Sequence, residues 1–336
     1  MKKVKNLFEQ VRRACKEVAA NAIRVHINYD HIPAYAASLP VQTAVSSELD
    51  PRCHYLGKEE KTVAFLLTLD TINFGSGYFP HLRKRPEMSG YFSIASSLND
   101  VYKSHGCLSA SDLDRITVEK CTRIFGQDPA NQIVRELMQH FRTALNDLGR
   151  YLLHSFNGNF AALVEAAESS AGRLVQLLKK MPYFNDVEPY DRIEVPFYKR
   201  AQIAAADLSI AFKGRGGGYF SDLAQLTIFA DNLVPHVLRM DGVLIYEESL
   251  IERIATGTLI PAGSAEEVEI RASALHAVEL IKKEILKSGQ IINSSDLDNF
   301  LWNRGQQLQY KACLLYTSDA ADDNRVVGGG GGGGGG

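Results

Sequence analysis

The chain between Asp222 and Arg239 reads Leu-Ala-Gln-Leu-Thr-Ile-Phe-Ala-Asp-Asn-Leu-Val-Pro-His-Val-Leu, with a single acid, Asp231, in an otherwise uncharged stretch. An ionised carboxylate on an apolar surface must be paired, hydrated in a cleft or shifted in pKa, and such groups gather at active sites. The competing reading is a buried helix-terminal Asp bonded to nearby backbone amides. Leu223, Leu226, Ile228 and Phe229 are spaced for a short helix over 221–232, and Pro235 makes a good first residue for a second helix. This grammar places Asp231 at a helix–Pro–helix corner, beside the negative end of the first helix. A carboxylate there suits a developing positive charge.

Other residues offer complementary chemistry. Pro196-Phe-Tyr-Lys-Arg-Ala-Gln202 has the form of a helix start, with Lys199 and Arg200 in or near the first turn. Helix amides plus two cations make a phosphate site, and a solvated surface is the alternative. In Leu69-Asp-Thr-Ile-Asn-Phe-Gly-Ser-Gly-Tyr-Phe-Pro80 a helical run ends at Gly75 and Gly77, with Asn73 and Ser76 among Phe74, Tyr78 and Phe79. Aromatic faces with amide and hydroxyl partners suit a heterocyclic base, and the alternative is a helix end whose aromatics pack into the core. Arg271, Leu275 and Glu279 lie four apart on one helical stripe, so the two charges hold either a neighbouring helix or a ligand. His26, His31, His54 and His236 have no metal-ligand spacing.

The elements that must position these groups read as helices, with apolar residues recurring at three and four. The clearest begins at the capping box Ser264-Ala-Glu-Glu267 and carries Val268, Ala272, Leu275, Val278, Ile281 and Ile285 on one face. Further helices are expected over 4–22, 59–73, 88–104, 130–153, 158–180, 198–212, 247–256 and 295–304. Strand evidence is limited to the alternation Arg24-Val-His-Ile-Asn28. The fold expected is mainly α, one helical domain with at most a few short strands. The loop Gly214-Arg-Gly-Gly-Gly218 lacks a phosphate-loop pattern and reads as a flexible connection between two helices, able to close over a site.

At 336 residues and 45% hydrophobic content the chain has enough apolar surface for a substantial core. A formal net charge of −2 argues against a polyanion-coating role but leaves a small anionic ligand open. Cys15, Cys53, Cys107, Cys121 and Cys313 form neither a C-x-x-C pair nor a metal spacing, so reduced thiols and a cytoplasmic location are expected. No cofactor or metal is implied, and neither a signal peptide nor a membrane span is expected. From about Cys313 through Val327 the sequence resembles translated sequencing adapter, followed by the Gly328–Gly336 run. The natural domain is therefore read as 1–312, with its true terminus lost, and 313–336 as a non-native tail.

Taken together, several blocks resemble one family. Asn28-Tyr-Asp-His-Ile-Pro-Ala-Tyr-Ala-Ala37, Asn73-Phe-Gly-Ser-Gly-Tyr-Phe79, Phe197-Tyr-Lys-Arg-Ala-Gln202, Phe229-Ala-Asp-Asn-Leu-Val-Pro235 and Glu267-Val-Glu-Ile-Arg-Ala272 are similar to the queuosine salvage proteins, the queuosine 5′-phosphate N-glycosylases. The resemblance spans nearly all of 1–312. It implies a helical fold shaped like that of DNA glycosylases, and hydrolysis of the N-glycosidic bond of queuosine 5′-monophosphate to release queuine for tRNA modification. Asp231 matches the family's catalytic aspartate. The block departs from the family's Asp-Tyr-Arg-Val-Pro-Gln at Asn232, Leu233 and His236, which alters the contacts beside the acid.

In that chemistry positive charge builds on the ribose, and an aspartate on that face stabilises it or forms a covalent glycosyl intermediate. The substrate-binding set expected is His54, Asn73, Phe74, Ser76, Tyr78, Lys199, Arg200, Phe229, Asn232, Arg271 and Glu279. Lys199 and Arg200 are assigned to the phosphate, Phe74 and Phe229 to the base. The partner is a small molecule, with no stable nucleic-acid complex. Two other readings stay open: a base-excision enzyme acting on DNA, which requires a basic groove, and a non-catalytic helical module that binds queuine or a protein.

Overall fold

The computed structural model describes residues 6–41 and 48–311; the adapter-like tail, Cys313 included, lies outside the described residues. Helix α1 (Leu7–Asn21) leads into strand β1 (Val25–Ile27) and α2 (Ile32–Ser38). Next come α3 (Glu59–Thr71), α4 (Gly90–His105), α5 (Ala110–Asp114), α6 (Val118–Ile124), α7 (Gln132–Phe156), α8 (Phe160–Glu165) and α9 (Ala171–Leu178). A hairpin of β2 (Val187–Tyr190) and β3 (Ile193–Pro196) precedes α10 (Lys199–Ala211). The rest comprises α11 (Leu233–Met240), β4 (Leu244–Tyr246), α12 (Glu248–Ala255), α13 (Ala265–Lys287), α14 (Ser294–Gly305) and α15 (Leu308–Lys311). The domain is mainly α, as expected.

Local sequence accounts for many helix ends. Asn6, Ser89, Asn131, Asn159 and Ser170 each accept a backbone amide from the first turn of the helix they precede, the preferred N-cap chemistry. Helix α7 buries Val134, Leu137, Met138, Phe141, Leu145, Leu148 and Leu152 along one stripe and ends where Asn157 turns left-handed. Helix α13 is different, because Val268 through Leu275 is buried all round and the helix runs through the core. Its polar residues must therefore find partners inside the protein. Glu269 does so by accepting the amides of Arg24 and Val25 and the Tyr190 hydroxyl, which ties β1 and the hairpin to α13.

Strand β1 falls where the alternation places it, but its antiparallel partner is the distant β4, with Val25 opposite Tyr246 and Ile27 opposite Leu244. The second sheet pairs Val187 with Pro196 and Tyr190 with Ile193.

Three expectations need correction. The helix over 158–180 is two helices, broken where Glu168 and Ser169 both adopt positive φ. Asp222 holds the restart at α9, accepting the Ala171 and Gly172 amides and the Ser170 hydroxyl. The helix over 221–232 is not formed: a single 3₁₀ turn, Leu223–Gln225, gives way to extended chain. Finally, Gly214–Gly218 is a packed turn, not a connection between two helices. A Cβ on Gly218 would sit 2.4 Å from the Leu208 carbonyl oxygen and 2.7 Å from Phe212 Cβ, so only glycine permits this approach to α10.

Candidate active site

The segment that carries Asp231 is extended because its polar groups are claimed from outside. Gln202, buried on α10, accepts the Thr227 amide at 2.9 Å and donates to Thr227 Oγ1 and the Phe197 carbonyl. Asp298 on α14 accepts the Phe229 amide at 2.8 Å. Arg271 on α13 donates from Nε to the Ala230 carbonyl at 2.9 Å. A helix would have consumed these backbone groups internally; tertiary partners override the apolar spacing.

Asp231 then stands immediately ahead of α11. Its Oδ1 accepts the Leu233 and Val234 amides at 2.9 and 3.0 Å. The acid thus meets the positive end of α11, not the negative end of a preceding helix, and Pro235 is the third residue of α11, not the first. These amides fix the carboxylate of a half-buried residue in one orientation. Asn232 donates to Ser76 Oγ at 3.2 Å, joining this corner to the chain after α3. His236, buried, contacts the Tyr310 carbonyl through Nε2 and so serves α15.

Asp298 is the second acid of the site, and sequence reading missed it. It is 5% exposed, and its carboxyl is held well above the usual range by burial and by the negative charge of Asp231, against the Phe229 amide and the Lys199 ammonium. Asp231, Asp298 and Lys199 therefore act on one another electrostatically. The available signal was a carboxylate between Leu297 and Leu301 on the buried face of α14.

Behind this group lies a buried ionic cluster. Arg271 pairs with Asp186 at 2.7 Å and Glu267 at 3.2 Å, and its guanidinium lies 3.9 Å from the centre of the Phe197 ring. One cation faces two acids. Although burial works against it, the Asp186 carboxyl is held below the ordinary range by Arg271 and the Lys199 amide, while burial pushes Glu267 up to about 7. The capping box at Ser264 is consequently one-sided: Ser264 accepts the Glu267 amide, and the Glu267 side chain turns to Arg271.

Several expected substrate contacts are placed otherwise. The Lys199 amide at the start of α10 already donates to Asp186 Oδ2, and Arg200 is buried over the Phe74 and Tyr183 rings, 5.0 and 5.8 Å from their centres. A phosphate cradle of helix amides and both cations is therefore not what α10 presents; Lys199 is the cation that faces the acids. Phe74, 3% exposed, stacks on Tyr183 with rings 5.2 Å apart and meets Phe141 edge-on, which is core packing. Tyr78 lies toward His140 on α7. Glu279 is bound to Arg12 at 3.0 Å and to Ser294 Oγ, where it fastens α1 and α14 to α13. Arg271 supports the site from behind. Asn73, half-buried, follows the end of α3. His54 is buried, with Nδ1 at the Asp50 carbonyl and Nε2 3.1 Å from the Tyr91 hydroxyl. Phe229 is half-buried beside the acid.

Among the described residues, no group of three or more His, Cys, Asp and Glu side chains is arranged to hold a metal ion. No described helix is long and apolar enough to cross a membrane.

Residues 53–319 match the family model described as queuosine salvage protein. A Sphaerobacter thermophilus protein named queuosine 5′-phosphate N-glycosylase/hydrolase is 33% identical over 300 residues, covering 87% of this chain and 91% of that protein. Proteins of the same name from Mus musculus and Dictyostelium discoideum are 30% and 34% identical, covering 88% and 74% of this chain and 93% and 74% of theirs. With a family match over most of its length and relatives of 30–34% identity that cover 74–88% of it, the chain belongs to the queuosine salvage protein family.

Proposed function

We infer that the protein hydrolyses the N-glycosidic bond of queuosine 5′-phosphate and releases queuine. The observation that carries this reading is the pairing of Asp231, oriented by two helix amides, with the neutral-leaning Asp298 beside it. Two carboxyl groups in environments that push their protonation apart are the usual equipment for glycoside chemistry.

In the reaction the C1′–N bond breaks and its electron pair leaves on the base nitrogen. Water adds at C1′, and the proton that water gives up replaces the ribose on the base. Positive charge develops on C1′ and the ring oxygen, and Asp231 is assigned to that face as electrostatic stabiliser or nucleophile. The base is a 7-deazapurine without the ring nitrogen that ordinary purines can protonate, so help for the leaving group must act elsewhere on the base. Asp298, whose protonated form is favoured by burial and by the charge of Asp231, is assigned there as the general acid, which gives its proton to the base and regains one from the attacking water. Lys199, the cation facing both acids, is assigned to the 5′-phosphate, and Phe229 to the face of the base. Support comes from the shared name of the relatives and from the anchoring of residues 227–230, just ahead of Asp231, by Gln202, Asp298 and Arg271. Such anchoring holds the catalytic acid without reorganisation.

Incubation of the protein with queuosine 5′-phosphate and mass-spectrometric detection of queuine tests the assignment. Release of queuine with ribose 5-phosphate supports it; an intact nucleotide after incubation with folded protein refutes it.

A further inference from the structure

One buried acid is not used by the mechanism above. Asp70, in the last turn of α3, is 0% exposed, and neither carboxyl oxygen has a hydrogen-bond partner. Helix α3 packs against α10 and α4. From α10, Asp207 acts on Asp70 through its charge; from α4, the Tyr91 hydroxyl feels both acids. Removing a carboxyl group from water without a partner is costly, and stability alone gives no reason to place two together.

The surroundings connect this pair to the site of Asp231. The Tyr91 hydroxyl meets His54 Nε2, and the Tyr91 and Phe92 rings both approach Trp302 edge-on, with centres 6.5 and 6.1 Å away. Trp302 lies on α14 four residues beyond Asp298, on the same face, a separation of about 6 Å along the axis, which is the scale of a bicyclic base. On the other side, the chain leaving Asp70 passes Asn73 and reaches Ser76, which accepts from Asn232. An aromatic wall thus runs from the two acids at Asp231 and Asp298 to the two acids at Asp70 and Asp207.

The substrate in the relatives' name has a matching chemistry. The queuosine base carries at its 7-position an aminomethyl group whose secondary amine bears a cyclopentenediol, and this amine is protonated near neutral pH. A secondary ammonium has two N–H donors, and two facing carboxylates supply acceptors for both. We propose that Asp70 and Asp207 receive the side-chain ammonium of the base and set the preference for queuosine over nucleotides whose base lacks that cation. The proposal rests on the hydrolase reading for its choice of ligand.

It carries a second signature. Burial pushes the Asp207 carboxyl up to about 7, and burial together with the charge of Asp207 raises Asp70 well above the usual carboxylate range. The neighbouring titratable groups are Tyr91 from α4 and, in the turn ahead of α3, Cys53 and His54. An arriving ammonium favours both ionised acids, so its binding releases a proton near neutral pH.

Calorimetric titration of the full chain with two free bases tests this: queuine, and 7-cyano-7-deazaguanine, which keeps the bicycle and lacks the cation. The wild-type protein should prefer queuine, with proton release seen as a heat that depends on the buffer's ionisation enthalpy. Asp70→Asn should weaken queuine binding about 30-fold or more and leave the cyano base within about 2-fold, as removal of one partner of a buried charge pair does. The buffer-dependent heat should fall with it. Asp207→Asn is the second variant, and far-UV circular dichroism checks the folding of both. Equal weakening of both bases, or a wild-type protein that does not distinguish them, overturns the proposal. Because free bases are used, this outcome is independent of whether the nucleotide is hydrolysed.

Discussion

Asp298 reaches from α14 to the backbone amide of Phe229, 2.8 Å away and two residues ahead of Asp231. One side chain thereby fixes the entry to the corner that holds Asp231 and places a second carboxyl group where the first suppresses its ionisation. Asp298→Asn keeps the acceptor for Phe229 but removes the transferable proton. We expect kcat to fall about 100-fold or more with little change in KM. Asp298→Ala should also lose about 1–3 kcal/mol of stability through the orphaned amide. Steady-state kinetics and urea unfolding of both variants check this; an unchanged kcat in Asp298→Asn removes the acid from the mechanism.

Lys199 is the test of phosphate recognition. Its ammonium faces Asp298, whereas neighbouring Arg200 is stacked on Phe74 and Tyr183. Lys199→Ala should abolish most of the preference for queuosine 5′-phosphate over queuosine, about 10-fold to 100-fold in kcat/KM. Wild-type rates that are equal for nucleoside and nucleotide contradict the role.

Glu267 gives a pH signature of the buried cluster. Its folded pKa is raised from 4.5 to about 7, chiefly by burial. A raised carboxyl binds its proton more tightly in the folded state, so its contribution is fully present below 4.5 and is lost as pH rises through about 7. Glu267→Gln should remove this loss. The stability of wild type relative to the variant, from urea melts between pH 4 and pH 8, should decline across that window; a flat difference contradicts the protonation assigned to Glu267.

Arg271 joins the cluster to the site through its fork of donors to Asp186, Glu267 and the Ala230 carbonyl. Arg271→Lys keeps the charge but cannot reproduce that fork. A loss of about 1–3 kcal/mol in stability is expected, together with a fall in kcat as residues 230 and 231 lose their anchor. Retention of both would show that the Ala230 contact does not position Asp231.

Much of the scaffold is legible in the sequence, because α1, α3, α7 and α13 carry long helical periods and α4 and α10 follow recognisable starts. The hairpin of β2 and β3 is not, since Pro189 and Pro196 obscure its alternation and its strands are only four residues long. The segment 221–232 has helical spacing yet is extended, because Gln202, Asp298 and Arg271 take its backbone groups from three different helices. Asp231 stood out as a lone charge in an apolar run. Asp298 did not, because a polar residue on a helix signals little until α14 is packed against α11. Phe74 and Glu279 looked like ligand groups for the converse reason: only their packed partners, Tyr183 and Arg12, show what they hold.

The most direct measurement compares queuine release from queuosine 5′-phosphate by the wild-type protein and by Asp231→Asn. Asparagine retains an oxygen for the Leu233 and Val234 amides, so the start of α11 should survive with a stability change within about 1 kcal/mol. The account predicts release by the wild type and a loss of about 1,000-fold or more in the variant, with circular dichroism unchanged. Release at a comparable rate by the variant, or a loss no larger than its loss of folded protein, would contradict the catalytic role of Asp231.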